Sequence, residues 1–317
     1  MSEDNKNWIA IKSSPVKRSG SVVLFGEVLA DIFPDRSVLG GAPFNVARHL
    51  KAFGQTPVLI SRLGNDALRD EVIHVMKQNK METMGLQRDK SHPTGRVQVH
   101  IEDGGHRFEI LPLQAYDFIH AGVVRLAALS KNPALVYFGT LAQRHEVSRR
   151  ALKTLLRNTE AAKFLDINLR TPWYNEKTLI DSLQQTNIVK MNEEELVILA
   201  NMFKLQGSNP QAFAQGLIDR FGLELILVTC GNAGAWMLDR NGKMTEAFPE
   251  NTITDIVDTV GAGDGFAAVF ILGALQKWAM SRTLERANAF AGAICGIRGA
   301  VPDHADFYKS FITEWGI

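Results

Sequence analysis

Apolar positions along this chain follow two alternating rhythms from about residue 21 onward. One is a short unbroken run of β-branched and aliphatic residues closed by a turn former. The other is a longer stretch in which apolar residues recur every three or four positions. "SVVLFG" (21–26) is of the first kind and predicts a buried strand. Residues 43–50, "PFNVARHL", are of the second kind. They follow Gly40 and Gly41, carry Pro43 near the first helical position and stop near Gly54, which predicts a helix. "PVLISRLG" (57–64) reads as a strand, and "NDALRDEVIHVMKQNK" (65–80) as a helix capped by Asn65 or Asp66.

The segment 94–111 differs in kind. Val97, Val99 and Ile101 alternate with Gln98, His100 and Glu102, and Phe108 and Ile110 alternate beyond the turn at Asp103, Gly104 and Gly105. This predicts a half-buried β-hairpin, an antiparallel flap beside an otherwise α/β chain. The alternation then resumes, with strands at 134–140, 162–168, 186–192 and 223–231 and helices at 145–157, 176–185 and 193–203. A second hairpin turns at Asn241-Gly242 within 234–248, and helices at 264–278 and 283–297 close the core. The fold class implied is α/β, one three-layer domain over 21–317 with a small β lid.

Composition narrows the partners. The 317 residues carry 35 basic and 34 acidic side chains, so neither nucleic acid nor an acidic membrane surface is expected, and a small-molecule partner is. Cys230 and Cys295 stand far apart, without a second ligand at metal spacing, which favours a reducing cytoplasm over a disulfide framework. The longest apolar run, 265–275, falls short of a bilayer span. Residues 1–20 hold lysines and an arginine but no apolar signal region, and read as a loosely ordered tail.

Candidate chemistry gathers at the predicted carboxyl ends of strands, where open α/β sheets bind ligands. Asp31, Asp166 with Asn168 and Arg170, Lys190 with Asn192, and Thr229 with Gly231 all fall there. Asp31, Asp166 and Asn168 also suit ordinary turns. "NEEE" (192–195) has the spacing of a capping box, and equally that of Asn192 and Glu195 orienting water around magnesium.

"TVGAGDG" (259–265) is more specific. A glycine turn opening a helix is an anion site, yet this one contains a carboxylate. The two requirements are compatible in phosphoryl transfer. Amides of Gly261, Ala262 and Gly263 would face the moving phosphoryl, while Asp264 accepts the proton of the attacking hydroxyl. A position at a helix N-terminus is expected to keep Asp264 at a low pKa. No G-x-x-x-x-G-K-[ST] is present, and Gly26 is not followed by the glycines of a dinucleotide fingerprint.

The ordered set "GEVLAD", "GGAPFNVA", "DINLR", "KMNEEE", "VTCGNAGA" and "DTVGAGD" resembles the ribokinase-like, or PfkB, family of carbohydrate kinases from about residue 21 to 305. The resemblance implies a ribokinase-like fold whose lid joins residues near 32–38 to the hairpin 94–111. It implies sugar hydroxyls bound by Asp31, Gly41 and Asn45, with Asp264 as the catalytic base and Gly261, Ala262 and Gly263 as the anion hole. By the same likeness, Asn192 and Glu195 would serve Mg2+ and the phosphates of ATP, and Thr229, Gly231 and Asn288 would line the nucleotide pocket. Asp258, with carbonyls of "IRGAVP" (297–302), would hold K+. The sequence is most similar to the fructokinase-like branch, which implies fructose as the sugar. Ribose, 2-keto-3-deoxygluconate, a nucleoside clamped by Phe108 or Tyr116, and a non-catalytic sugar-binding role are the alternatives. Arg170 would contact an acid or phosphate group of the substrate, or the nucleotide phosphates. Arg69 and Arg96 depart from the family pattern, and an Arg96 reaching the site would favour an anionic sugar. A homodimer joined through the lid is also expected.

Overall fold

The computed structural model describes residues 21–102, 105–122, 124, 133–248 and 256–317. The tail 1–20 and two residues of the first hairpin's turn, Asp103 and Gly104, lie outside the described residues.

A nine-stranded sheet forms the middle layer. Its strands are β1 (Val22–Phe25), β4 (Pro57–Leu63), β5 (Leu86–Arg88), β8 (Leu135–Gly139), β9 (Ala162–Asp166), β10 (Ile188–Asn192), β11 (Leu225–Thr229), β12 (Ala235–Asp239) and β13 (Met244–Ala247). They lie in the order β13-β12-β11-β10-β9-β8-β1-β4-β5, parallel except for the hairpin β12–β13. Alternate residues of one strand enter opposite cores. Val22 and Leu24 of β1 pack with α1 (Ala42–Ala52), α2 (Ala67–Gln78), α7 (Ala262–Gln276), α8 (Met280–Cys295) and α9 (Asp306–Trp315). Val23 and Phe25 face α3 (Glu146–Arg157), α4 (Glu176–Leu183), α5 (Glu193–Met202) and α6 (Pro210–Phe221). Covering both faces is what lets these strands be apolar throughout, and it yields the three layers. No helix among the described residues is long and apolar enough to cross a membrane.

A second sheet of four strands stands apart, in the order β3-β2-β6-β7. It joins β2 (Leu29–Ile32) and β3 (Ser37–Gly40) to β6 (Gly95–Glu102) and β7 (Gly105–Ile110). Cross-strand pairs Val97 with Ile110 and Val99 with Phe108 reproduce the predicted alternation. The parallel pairing of β2 with β6 sets Asp31 beside Val97. The amino-terminal contribution is a full hairpin over 29–40, wider than the expected 32–38, because β2 continues from the turn after β1 with little interruption.

Two helices lie beyond the sequence-based expectation. In α6, Asn209 Oδ1 accepts the Ala212 amide, Pro210 opens the first turn and Gly222 closes the last at φ 69°. The last helix, α9, packs Tyr308 and Trp315 into the core and ends at Gly316, also at φ 69°. The expected starts at 264 and 283 move to Ala262 and Met280, since Gly261 in a left-handed conformation is the N-cap of α7 and Ala279 that of α8.

Candidate active site

The chain reverses direction across the sheet at β1, whose neighbours are β4 and β8, and the carboxyl ends of β1, β8, β9 and β10 form the floor of a cleft at that switch point. Two glycines let the walls close on it. Gly41, at φ 106°, brings the start of α1 so near the first turn that a Cβ there would lie 2.6 Å from the Glu27 carbonyl oxygen. Gly261, at φ 82°, presses the start of α7 against the loop 297–302, where a Cβ would lie 2.4 Å from Ala300 Cα. Neither conformation is open to an ordinary L-residue at low cost.

Among the described residues no side chain caps α7, so its first-turn amides are left for a ligand where Gly261, Gly263 and Asp264 line the cleft. The Ala262 amide makes only a long 3.4 Å contact with the Thr259 carbonyl. Asp264 sits in this turn, and Asn45 Nδ2 donates to its Oδ2 at 2.8 Å. That bond fixes one carboxylate oxygen and leaves the other for a ligand. Asn45 Oδ1 is buried and has no partner among the described residues, so it is open to a ligand hydroxyl.

The low pKa expected for Asp264 is not what the structure gives. Burial foremost raises it to about 6, with the nearby Asp166 carboxylate adding to the rise, while Asn45, Lys190 and Arg170 oppose it. Desolvation outweighs the helix dipole, yet the group is still largely ionised at neutral pH. Asp31 is likewise raised to about 6 by burial, against the pull of Arg170.

Lys190 and Asp166 stand opposite each other in the β9–β10 register and form a buried ion pair, with Nζ 3.1 Å from each carboxylate oxygen. The Tyr137 hydroxyl donates to Asp166 Oδ2 at 3.1 Å. A Cβ on Gly263 would lie 3.3 Å from Lys190 Nζ, which places the ammonium against the same helix turn. The turn therefore brings amides, a fixed cation and a carboxylate to one cavity.

Two cavities meet at this turn. The larger, about 570 Å3, holds Asp31, Gly41, Asn45, Arg170 and Asp264 beneath Val97 and Phe108 of the second sheet. The smaller, about 200 Å3 and mostly apolar, holds Thr229, Gly231, Ala262 and Asn288. Thr259 and Gly263 line both. Asn288 is oriented by donating from Nδ2 to the Ala247 carbonyl at 2.9 Å.

Other candidates fall elsewhere. Asn192 and Glu195 form the complete capping box of α5, and Glu195 also accepts the Leu169 amide at 2.7 Å. Among the described residues, neither lines either cavity. Asp258 accepts amides from Val260 at 3.0 Å and Gly299 at 3.1 Å, tying the loop before α7 to the loop after α8. Arg96 points away from the cleft, on the face of β6 opposite Val97, with Nη2 3.7 Å from Asp66. Arg69 meets its neighbour Asp70 at the surface. Tyr116 is buried with the Arg144 guanidinium over its ring and lines neither cavity as described, whereas Phe108 is 51% exposed and lines the larger one.

Glu27 is the residue that sequence reasoning missed. It is buried on the cavity wall, directly after the Gly26 that ends β1. Its position at a strand's carboxyl end was the available signal.

The sequence model described as pfkB family carbohydrate kinase matches residues 22–305. Fructokinase of Salmonella typhimurium is 27% identical, over 92% of this chain and 100% of that protein. Fructokinase-2 of Zea mays is 25% identical, over 89% of this chain and 90% of its own length. The solved structure of fructokinase with bound ATP from Xylella fastidiosa superposes with a TM-score of 0.79 at 21% identity, covering 94% of this chain and 99% of that one. A fructokinase double mutant from Vibrio cholerae, with fructose, ADP and potassium bound, gives 0.75 at 22% identity over 93% and 98%.

Proposed function

Since the chain belongs to the pfkB family of carbohydrate kinases, we propose that it transfers the γ-phosphoryl of ATP to a primary hydroxyl of fructose. The observation that carries this reading is the meeting of a polar, carboxylate-bearing cavity with an apolar one at Thr259 and Gly263, beside Asp264. The apolar cavity suits an adenine ring, and the polar one a small sugar held by Asp31, the Gly41 backbone and Asn45. Asp264, held by Asn45, takes the hydroxyl proton as the oxygen attacks. First-turn amides from Gly261 to Gly263 and the Lys190 ammonium receive the charge of the moving phosphoryl, with Arg170 reaching the same phosphates. Fructose is favoured over the alternatives by the names of the similar proteins and by the orientation of Arg96 away from the cavity.

Magnesium supplies charge neutralisation on the nucleotide phosphates when bound. Both Glu195 oxygens accept amide hydrogens, a donor set suited to contact through water rather than to direct ligation. Asp258, linking two loops, fits the anchoring carboxylate of a potassium site completed by carbonyls of 297–302.

The four-stranded sheet serves as a lid that excludes water from the phosphoryl group. Its outer strands β3 and β7 end the sheet among the described residues, and a second copy docks along one of these edges. Sedimentation of the purified protein should give twice the monomer mass, and a monomer at micromolar concentration refutes the docking.

The activity is tested by ADP release with ATP and magnesium across fructose, ribose, 2-keto-3-deoxygluconate and adenosine. Fructose should give the highest kcat/KM. A higher value for any other acceptor moves the assignment to that substrate.

A further inference from the structure

The larger cavity contains a polar group that the transfer chemistry does not use. Glu27 is 4% exposed, lines the cavity, and its Oε2 has no hydrogen-bond partner among the described residues. An unmade hydrogen bond on a buried carboxyl is costly unless a ligand completes it. The Gly41 backbone passes so close to the Glu27 carbonyl that a side chain there would collide with it, its Cβ 2.6 Å from the carbonyl oxygen.

The cavity's charges argue for what completes the bond. Among the described residues lining the cavity, Glu27, Asp31, Asp166 and Asp264 meet two cations, Arg170 and Lys190, and Lys190 is paired with Asp166, while Arg144 near Glu27 is paired with Asp117 outside the lining. Both cations are already engaged, Lys190 by Asp166 and the proposed phosphoryl, Arg170 by the pull of Glu27, Asp31 and Asp264. A sugar bearing its own carboxylate or phosphate would add an anion next to Glu27 and Asp31, competing with them for Arg170. A polyhydroxy sugar without charge has donors and acceptors for every free oxygen.

We infer that Glu27 is a specificity-determining residue, its free carboxyl oxygen forming a hydrogen bond with a hydroxyl of an uncharged sugar and excluding anionic ones. This rests on the sugar-kinase reading and deepens it. The charged and titratable groups that act on Glu27 are Arg170, Asp264 and Arg144, and Tyr116 feels its charge. Burial foremost raises the Glu27 carboxyl to about 7, with Asp264 adding to the rise and its own backbone amide, Arg170 and Arg144 opposing it, so its protonation changes across the neutral range. As pH rises through 7 the carboxyl stops donating and can only accept.

The test compares wild type, Glu27→Gln and Glu27→Ala, each verified as folded by thermal melting, with fructose, ribose and 2-keto-3-deoxygluconate between pH 5.5 and 8.5. Loss of the bond in Glu27→Ala should raise KM for the preferred sugar about 10- to 100-fold while KM for ATP stays within about twofold. Glu27→Gln keeps size and one donor. It should retain most of kcat, lose the change in sugar KM centred near pH 7, and narrow the preference against 2-keto-3-deoxygluconate. A neutral-sugar kinase whose KM, pH profile and preference survive both substitutions overturns the role of Glu27 alone. A wild-type enzyme that prefers 2-keto-3-deoxygluconate to every uncharged sugar overturns this inference and the fructose assignment together. Should Glu27→Ala fail to fold, the Glu27→Gln profile decides by itself, because an unaltered profile there refutes the proposal.

Discussion

Asp264→Asn should lower kcat for sugar phosphorylation about a hundred- to ten-thousandfold while KM for ATP stays within about twofold. The substituted amide keeps an oxygen with which to accept the hydrogen of Asn45 Nδ2, now made at 2.8 Å, so the start of α7 should hold its place. What is lost is the acceptor for the hydroxyl proton. The pH profile provides an independent check. Wild-type turnover requires the ionised form, and burial has raised this group to about 6. The rate should therefore be level above about pH 7 and fall as pH drops through about 6, and the variant's residual rate should lack that inflection. A wild-type profile without an inflection between about pH 5 and 7, or a variant within about tenfold of wild type, removes Asp264 from the role of base.

The difference between that value and the low one expected from local sequence shows where sequence reading stops. A carboxylate in the first turn of a helix is stabilised by local geometry, which the glycines of 261–265 make readable. Its burial, and the approach of Asp166 from β9, come from elements about a hundred residues earlier and outweigh the dipole. Strands with unbroken apolar runs were legible because both their faces are buried, and the hairpin 94–111 because one face is not. Helix α6 carries its signals in Asn209, Pro210 and Gly222, but the polar stretch before it hides its beginning. "NEEE" could be read as a cap or as a metal site. The structure shows that the cap is made, and making it does not decide the second role. Lys190 was legible as a polar residue at a strand's carboxyl end, and Glu27 carried the same signal, but the roles of both were not. Their significance comes from β1 being central and from a strand register that sets Lys190 opposite Asp166, neither of which is written locally.

That register makes Lys190→Met the second large effect, on two quantities that can be separated. The ammonium is 7% exposed and its partner 2%, so removing it leaves a buried carboxylate without its cation, a loss of about 3–5 kcal/mol. It also removes positive charge from beside Gly263, where the moving phosphoryl gathers negative charge, at an expected cost of about 10²- to 10³-fold in kcat. Adding Asp166→Asn to Lys190→Met removes the orphaned charge while leaving an oxygen to accept from Tyr137, whose hydroxyl now lies 3.1 Å from Asp166 Oδ2. The double variant should regain most of the lost stability in urea titration, and its kcat should stay low. Recovery of turnover together with stability would mean that Lys190 serves only to neutralise Asp166. Low turnover in a restored fold assigns the ammonium to the transition state, where a cation fixed by its own counter-ion needs no reorganisation as the phosphoryl moves.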